Sequence, residues 1–222
     1  MQVRPRLKAI ASFVKRGATV VDIGCDHALL DIYLTLHNDN QCLACDINQN
    51  ALMQAKQNIE KYHLQERIAC YLSDGLNSVP IEENATLIIS GMGTATIEHI
   101  MESSKLPFFD TIIVQSNNEL MVLRKRLVQK GYSIKEEKVV EDRGIYYVVM
   151  KWEKGPAVYK KKELFLGPYL RKHPSQTRNL YYQHLLTTTE EVLKKLPKKY
   201  WLQRIKKKQW IKILKKELNR SL

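Results

Sequence analysis

No cysteine occurs after Cys70, no run of about 18 uncharged apolar residues occurs anywhere, and acidic residues nearly vanish from the last third of the chain. Each absence excludes something. A transmembrane helix needs roughly 20 consecutive, mostly apolar residues, so no membrane-spanning segment is expected. The N-terminus from Met1 to Lys8 is basic, but Lys15 and Arg16 arrive before a signal-type apolar core can form, which points to the cytoplasm. Cys42 and Cys45 have C-x-x-C spacing on an expected strand, where residues three apart face opposite sides. With no second ligand pair, they and Cys25 and Cys70 read as buried reduced thiols, and no metal is expected. Internal repeats are absent as well.

What is present divides by charge. Residues 1–150 carry 16 Lys and Arg against 18 Asp and Glu, whereas residues 151–222 carry 20 against 5. The formal net charge of +13 therefore belongs to the C-terminal third. A near-neutral domain followed by a cationic tail suggests a polyanionic partner, with nucleic acid first and an anionic membrane surface second.

The first part alternates regularly. Leu7, Ile10, Ala11 and Val14 recur at helical spacing up to Gly17. Strands are expected at Thr19–Ile23, Gln41–Cys45, Arg67–Leu72, Ala85–Ser90 and Thr111–Gln115. Helices are expected at Ala28–Leu36, from the Asn48 cap to Tyr62, at Thr94–Met101 and at Asn118–Lys130. Tyr132–Val140 and Tyr146–Trp152 then form a hairpin around Asp142-Arg143-Gly144. This order implies an α/β fold: a mostly parallel, Rossmann-like sheet covered on both faces, closed by an antiparallel hairpin of the kind found in class I methyltransferases. A first domain is expected over 1–153 and a basic, coiled-coil-like helical domain over 154–222. In the latter, Ser175–Leu196 and Lys198–Leu218 read as an antiparallel pair broken at Pro197. Leu180, His184, Leu185, Val192 and Leu196 would line the first helix, and Leu202, Ile205, Ile213, Leu214 and Leu218 the second.

Ligands of open α/β sheets bind beyond the carboxyl ends of the strands. Five strand ends here are polar or glycine-bearing: Asp22-Ile23-Gly24, Asp46-Ile47, Ser73-Asp74-Gly75, Ser90-Gly91-Met92-Gly93 and Gln115-Ser116-Asn117. Gly24 would let the backbone approach a ligand, Asp46 would accept from two ribose hydroxyls, and Asp74 from an adenine amino group. The first loop lacks the further glycines of G-x-G-x-x-G, so a dinucleotide pyrophosphate has no seat. Asp22 and Asp26 would repel it and suit a cation, which favours S-adenosyl-L-methionine. The candidate cofactor set is Asp22, Gly24, Cys25, Asp26, His27, Asp46, Ile47, Asp74, Gly75, Ser90, Gly91 and Met92.

Asp22-Ile23-Gly24-Cys25-Asp26-His27-Ala28, Ser90-Gly91-Met92-Gly93, Gln115-Ser116-Asn117 and Glu141-Asp142 before Tyr146 together resemble the TrmK family. The resemblance runs from Arg4 to about Pro168. It implies a bacterial tRNA methyltransferase that uses S-adenosylmethionine to methylate N1 of adenine 22. The chain departs from the family pattern at Asp31, where proline is expected, at Thr94 (glycine) and at Ser116 (proline). Thr94 and Ser116 are expected near the acceptor pocket.

The absent motifs agree with this chemistry. No Asp/Asn-Pro-Pro-aromatic tetrad follows the fourth strand to hold an exocyclic amine, and no late cysteine could attack pyrimidine C5. A nucleophile with a free lone pair, such as neutral adenine N1, remains. Gln115 and Asn117 are expected to orient the adenine edge and Met92 to wall the pocket. Asp26 or His27 would bind the amino acid moiety or remove a surplus proton. Lys194, Lys195, Lys198, Lys199, Arg204, Lys206, Lys207 and Lys208, with Tyr200, Trp201 and Trp210 interleaved, are the candidate tRNA contacts. A monomer with no protein partner is expected. The alternatives left open are another RNA, protein or small-molecule substrate, or a non-catalytic RNA-binding protein on a methyltransferase fold.

Overall fold

Strands as apolar as Leu87-Ile88-Ile89 and Ile112-Ile113-Val114 must be covered on both faces, because alternate side chains leave on opposite sides. The computed structural model, which describes residues 1–80 and 84–220, shows that arrangement. In chain order the elements are α1 (Pro5–Ala11), β1 (Thr19–Ile23), α2 (Leu29–Asn38), β2 (Gln41–Asp46), α3 (Gln49–Lys61), β3 (Ile68–Leu72), β4 (Thr86–Met92) and α4 (Thr94–Met101). They continue with β5 (Thr111–Ser116), α5 (Leu120–Gln129), β6 (Tyr132–Asp142), β7 (Ile145–Lys154), α6 (Lys161–Leu166), α7 (Pro168–Lys172), α8 (Gln176–Lys195) and α9 (Trp201–Leu218).

The seven strands lie in the order β3-β2-β1-β4-β5-β7-β6. β1 to β5 pair in parallel, and β7 inserts between β5 and β6 antiparallel to both. Chain direction across the sheet switches between β1 and β4, which opens a crevice at their carboxyl ends. One face carries Val21, Leu43, Cys45, Leu87, Ile89 and Val114, and the other Val20, Cys42, Ala44, Ile88 and Ile113. Cys42 and Cys45 thus sit on opposite faces, and all four thiols are free.

Several expected boundaries move. α1 ends at Ala11 instead of continuing toward Gly17, yet Val14 is still buried as the chain turns back toward β1. α2 starts one residue later, after Ala28 takes a left-handed conformation, and reaches Asn38. In the tail the helical pair forms, and Leu185, Ile213, Leu214 and Leu218 of the expected faces pack against the core. Tyr181 and Tyr182 enter the core from α8, and Trp210 and Leu214 are buried on α9, while Leu180, Val192, Leu202 and Ile205 are exposed.

Leu166, Leu170, Tyr181, Tyr182 and Leu214 belong to the same apolar cluster as Val114, Leu123 and Trp152. A buried ion pair fixes the seam. Arg124 Nε and Nη2 each stand 2.8 Å from Glu137 Oε1, with both side chains fully buried. Arg124 Nη1 also donates to the Leu164 carbonyl at 2.9 Å, and Glu137 Oε2 accepts from the Tyr169 N–H at 2.9 Å. Gly167 makes this seat possible, since a Cβ there would stand 2.6 Å from Glu137 Oε2. Removing one partner strands a buried charge, which costs about 3–5 kcal/mol. Arg124→Met should therefore lose about that much in urea denaturation, and limited proteolysis should cut between α7 and α8 first.

Candidate functional site

A cavity of about 1030 Å³ opens at the carboxyl ends of β1 to β4. All twelve residues of the candidate cofactor set line it. The loop after β1 and the loop after β4 interlock at its floor. Gly24 has φ +79°, and a Cβ there would lie 2.0 Å from Met92 Cε. A methyl group at position 24 would have to push the Met92 side chain aside and hold a left-handed backbone that L side chains rarely adopt.

Asp46 braces the wall it belongs to. Its Oδ2 accepts from the Asp26 N–H at 3.1 Å and its Oδ1 from the Asn48 N–H at 2.9 Å. Each oxygen keeps a second lone pair for a hydroxyl donor. Asp26 is exposed, with Oδ1 3.6 Å from His27 Nε2. Asn58 Nδ2 donates to the His27 carbonyl, tying the loop to α3. Beyond β3, Ser73 Oγ accepts from the Ser78 N–H and donates to the Gly75 carbonyl, which presents Asp74 to the cavity.

Asp22 needs a correction. It is 3% exposed and meets Asp31, itself fully buried in the first turn of α2. No donor reaches Asp22 Oδ1 or either carboxylate oxygen of Asp31. The hydrogen bond open to two facing carboxyls is a shared proton. Burial, then the Asp31 and Asp46 charges, hold Asp22 well above the usual carboxylate range, against a smaller opposing pull from Arg6. Burial likewise lifts Asp31, to about 7. Asp26, Asp46 and Asp74 are the other carboxylates on the cavity wall, and Asp31, after burial, is what raises Asp22.

The acceptor-side expectations also shift. Gln115 is fully buried and does not line the cavity. Its Oε1 accepts from Arg6 Nη1 at 2.7 Å and from the Gly91 N–H at 3.1 Å, and its Nε2 donates to Asn117 Oδ1 at 3.0 Å. It is committed to the wall and cannot grip a base edge. Asn117 is exposed and anchored by its Nδ2 to the Gly91 carbonyl at 2.8 Å. Thr94 and Ser116 do not face an acceptor. Both are buried, with their hydroxyl oxygens 3.0 Å apart, and Thr94 Oγ1 donates to the Asn118 carbonyl at 2.7 Å. The two departures satisfy each other. Residues that sequence reasoning missed include Arg6, Asn48, Tyr62, Thr96 and His99, all on the cavity wall. They come from helices and loops rather than strand ends, so no strand-end rule finds them.

Seven strands with one reversed insertion, and an acidic crevice at the switch point without a pyrophosphate loop, define a class I methyltransferase. The methyltransferase-domain family model matches residues 3–150, and the chain belongs to that family. It is similar to the tRNA (adenine(22)-N(1))-methyltransferase of Bacillus subtilis, with 29% identity over 205 residues, 88% of this chain and 86% of that one. The structure of M. capricolum TrmK with S-adenosyl-homocysteine superposes with TM-score 0.83 at 25% identity, covering 99% of each chain. A Streptococcus agalactiae protein of the NADB-Rossmann superfamily superposes with TM-score 0.90 at 26% identity, covering 98% of each.

Gly24→Ala should displace the Met92 loop and weaken S-adenosylhomocysteine binding at least 10-fold by calorimetry, with a lowered thermal midpoint. The raised carboxyls set a second expectation. A buried acid that binds its proton more tightly in the folded state stabilises fully below the ordinary carboxyl pKa of about 4, and that stability is lost as pH rises toward 7. Asp31→Asn should thus be more stable than the parent by about 1–3 kcal/mol at pH 8 in urea denaturation, with the gap closing by pH 4.

Proposed function

We propose that this chain is a cytoplasmic, monomeric enzyme that methylates N1 of an adenine in tRNA, at position 22, using S-adenosyl-L-methionine. The observation that carries the reading is the pairing of an acidic nucleoside-sized crevice with a rigidly attached basic helical hairpin. The crevice fits the cofactor: Asp46 offers two oxygens for ribose hydroxyls, Asp74 an acceptor for an adenine amino group, and Gly24 and Gly75 a close backbone approach. Cys25, Ile47, Ser90, Gly91 and Met92 complete the wall. Asp26 supplies the charge for an ammonium, with His27 beside it, and Asp22 joins them on giving up the shared proton. When bound, the cofactor supplies an electrophilic methyl group.

The protein's own work is then mostly placement. Neutral adenine N1 carries its lone pair in the ring plane, so attack needs no strong base. The site must hold the base in line, exclude water, and stabilise it outside the stack. Asn117 is the exposed amide beside the reacting centre and Met92 the apolar wall, while Gln115 holds Asn117 in place.

The tail would carry the tRNA. Lys194, Lys195, Lys198, Lys199, Lys206 and Lys208 are exposed around the turn between α8 and α9, beside exposed Tyr200 and Trp201. Two of the expected contacts are used internally. Arg204 Nη1 donates to the Leu193 carbonyl at 3.0 Å and to that of Leu196, closing the α8 terminus. Trp210 stacks on Phe165 with centroids 4.0 Å apart, so it is not free to stack on a base. Lys207 is half-buried.

Incubation with total tRNA and labelled methyl donor should yield 1-methyladenosine at position 22, identified by nucleoside mass spectrometry and primer extension. Another modified nucleoside, or none, refutes the assignment. Because α8 and α9 complete the core, the tail is tested by substitution and not by deletion. Replacing Lys194, Lys195, Lys198 and Lys199 by alanine should weaken tRNA binding at least 10-fold. It should also flatten the salt dependence by about 0.7–0.9 per lost phosphate contact. Cofactor affinity should be unchanged.

A further inference from the structure

Arg6 is a cavity residue to which the cofactor reading assigns no task. It projects from the first turn of α1 into the gap between the ends of β4, β5 and β7. Its Nη1 donates to Gln115 Oε1 at 2.7 Å, and its guanidinium carbon lies 5.4 Å from the centre of the Tyr147 ring. A Cβ on Gly91 would stand 3.0 Å from Nη1, so the glycine leaves the room that the guanidinium occupies. Tyr147 lies on β7 two residues before Val149, the partner of Gln115, so continuing the antiparallel register sets it opposite Asn117. Both Arg6 and Tyr147 are half-buried. The guanidinium is planar and carries five donors. No carboxylate lies within ion-pair distance of it among the described ion pairs.

An arginine placed over an aromatic ring at cation–π distance, and tethered by a neutral amide instead of an acid, keeps donors and planar surface for a ligand. The amides around it are already closed in a ring running from Gly91 through Gln115 and Asn117 back to Gly91. Arg6 and Tyr147 are therefore the planar groups available next to Asn117 for a base taken out of its stack. Bases removed from a helix are held by stacking on such planes. Exposed Arg4 lines the same cavity one turn earlier, where a backbone phosphate would follow the base.

We propose that Arg6, backed by Tyr147, forms the acceptor-nucleotide subsite, with the target adenine stacking on the guanidinium and presenting its edge to Asn117. This rests on the tRNA-methylating reading given above. Arg6→Ala should lower kcat/KM for tRNA at least 100-fold while S-adenosylhomocysteine affinity stays within 3-fold. Tyr147→Phe should stay within 3-fold of the parent, because the ring remains, and Tyr147→Leu should lose at least 10-fold. Arg6→Lys keeps charge without the plane and should lie between Arg6→Ala and the parent. With 2-aminopurine at the methylated position, the parent should brighten the fluorophore on binding and Arg6→Ala should not.

Outcomes separate cleanly. If Arg6→Ala retains the fluorescence change or full turnover, the subsite is elsewhere. If cofactor affinity and thermal midpoint fall in step with turnover, Arg6 is a structural tether for α1 and the subsite is refuted. A parent protein that transfers no methyl group to tRNA sinks the functional reading, and the subsite with it.

Discussion

The buried pair of Arg124 and Glu137 joins two halves of opposite electrostatic character into one body. Between them the two side chains bond to both sides of the seam, with α5 and β6 joined through Glu137 Oε1 and the α6–α7 segment reached by Arg124 Nη1 and Glu137 Oε2. Such a pair adds little net stability over an apolar contact, but it tolerates few alternative registers. The consequence is directional. A basic helical hairpin that would otherwise be a loose appendage is held at a set angle to the sheet, and so to the crevice at the sheet's carboxyl edge.

That geometry organises the charges. The crevice presents Asp26, Asp46 and Asp74 at positions suited to ribose hydroxyls, an amino group and an ammonium. The lysines lie around the turn of the hairpin, and Arg4 and Arg6 bring positive charge to the crevice mouth. The basic surface and the acidic crevice thus occupy different parts of one rigid arrangement. Burial, together with the neighbouring Asp31 carboxyl, raises the proton affinity of Asp22 at the floor.

Much of this was legible along the chain because it follows from local periodicity. The two-sided apolar strands, the Asn48 cap and the glycine after β1 each announce themselves within a few residues. The polar strand ends then converge by topology, which is why all twelve cofactor candidates line one cavity. What failed depended on long-range partners. Gln115 looked like a free amide, yet Arg6, 109 residues away, had already claimed it. Thr94 and Ser116 looked like acceptor-pocket changes, yet each is the other's hydrogen-bond partner. Trp210 looked like a stacking platform for bases, and Phe165 covers it.

The order of elements, the reversed final hairpin, the acidic first loop and the cationic tail are determined by the sequence alone, because pattern and charge are carried by neighbours in the chain. Which face of the tail helices is buried, which arginine is free, and whether Asp22 is charged are decided only by tertiary structure. Those properties depend on desolvation and on hydrogen-bond partners contributed from distant positions, and neither exists until the chain has closed on itself.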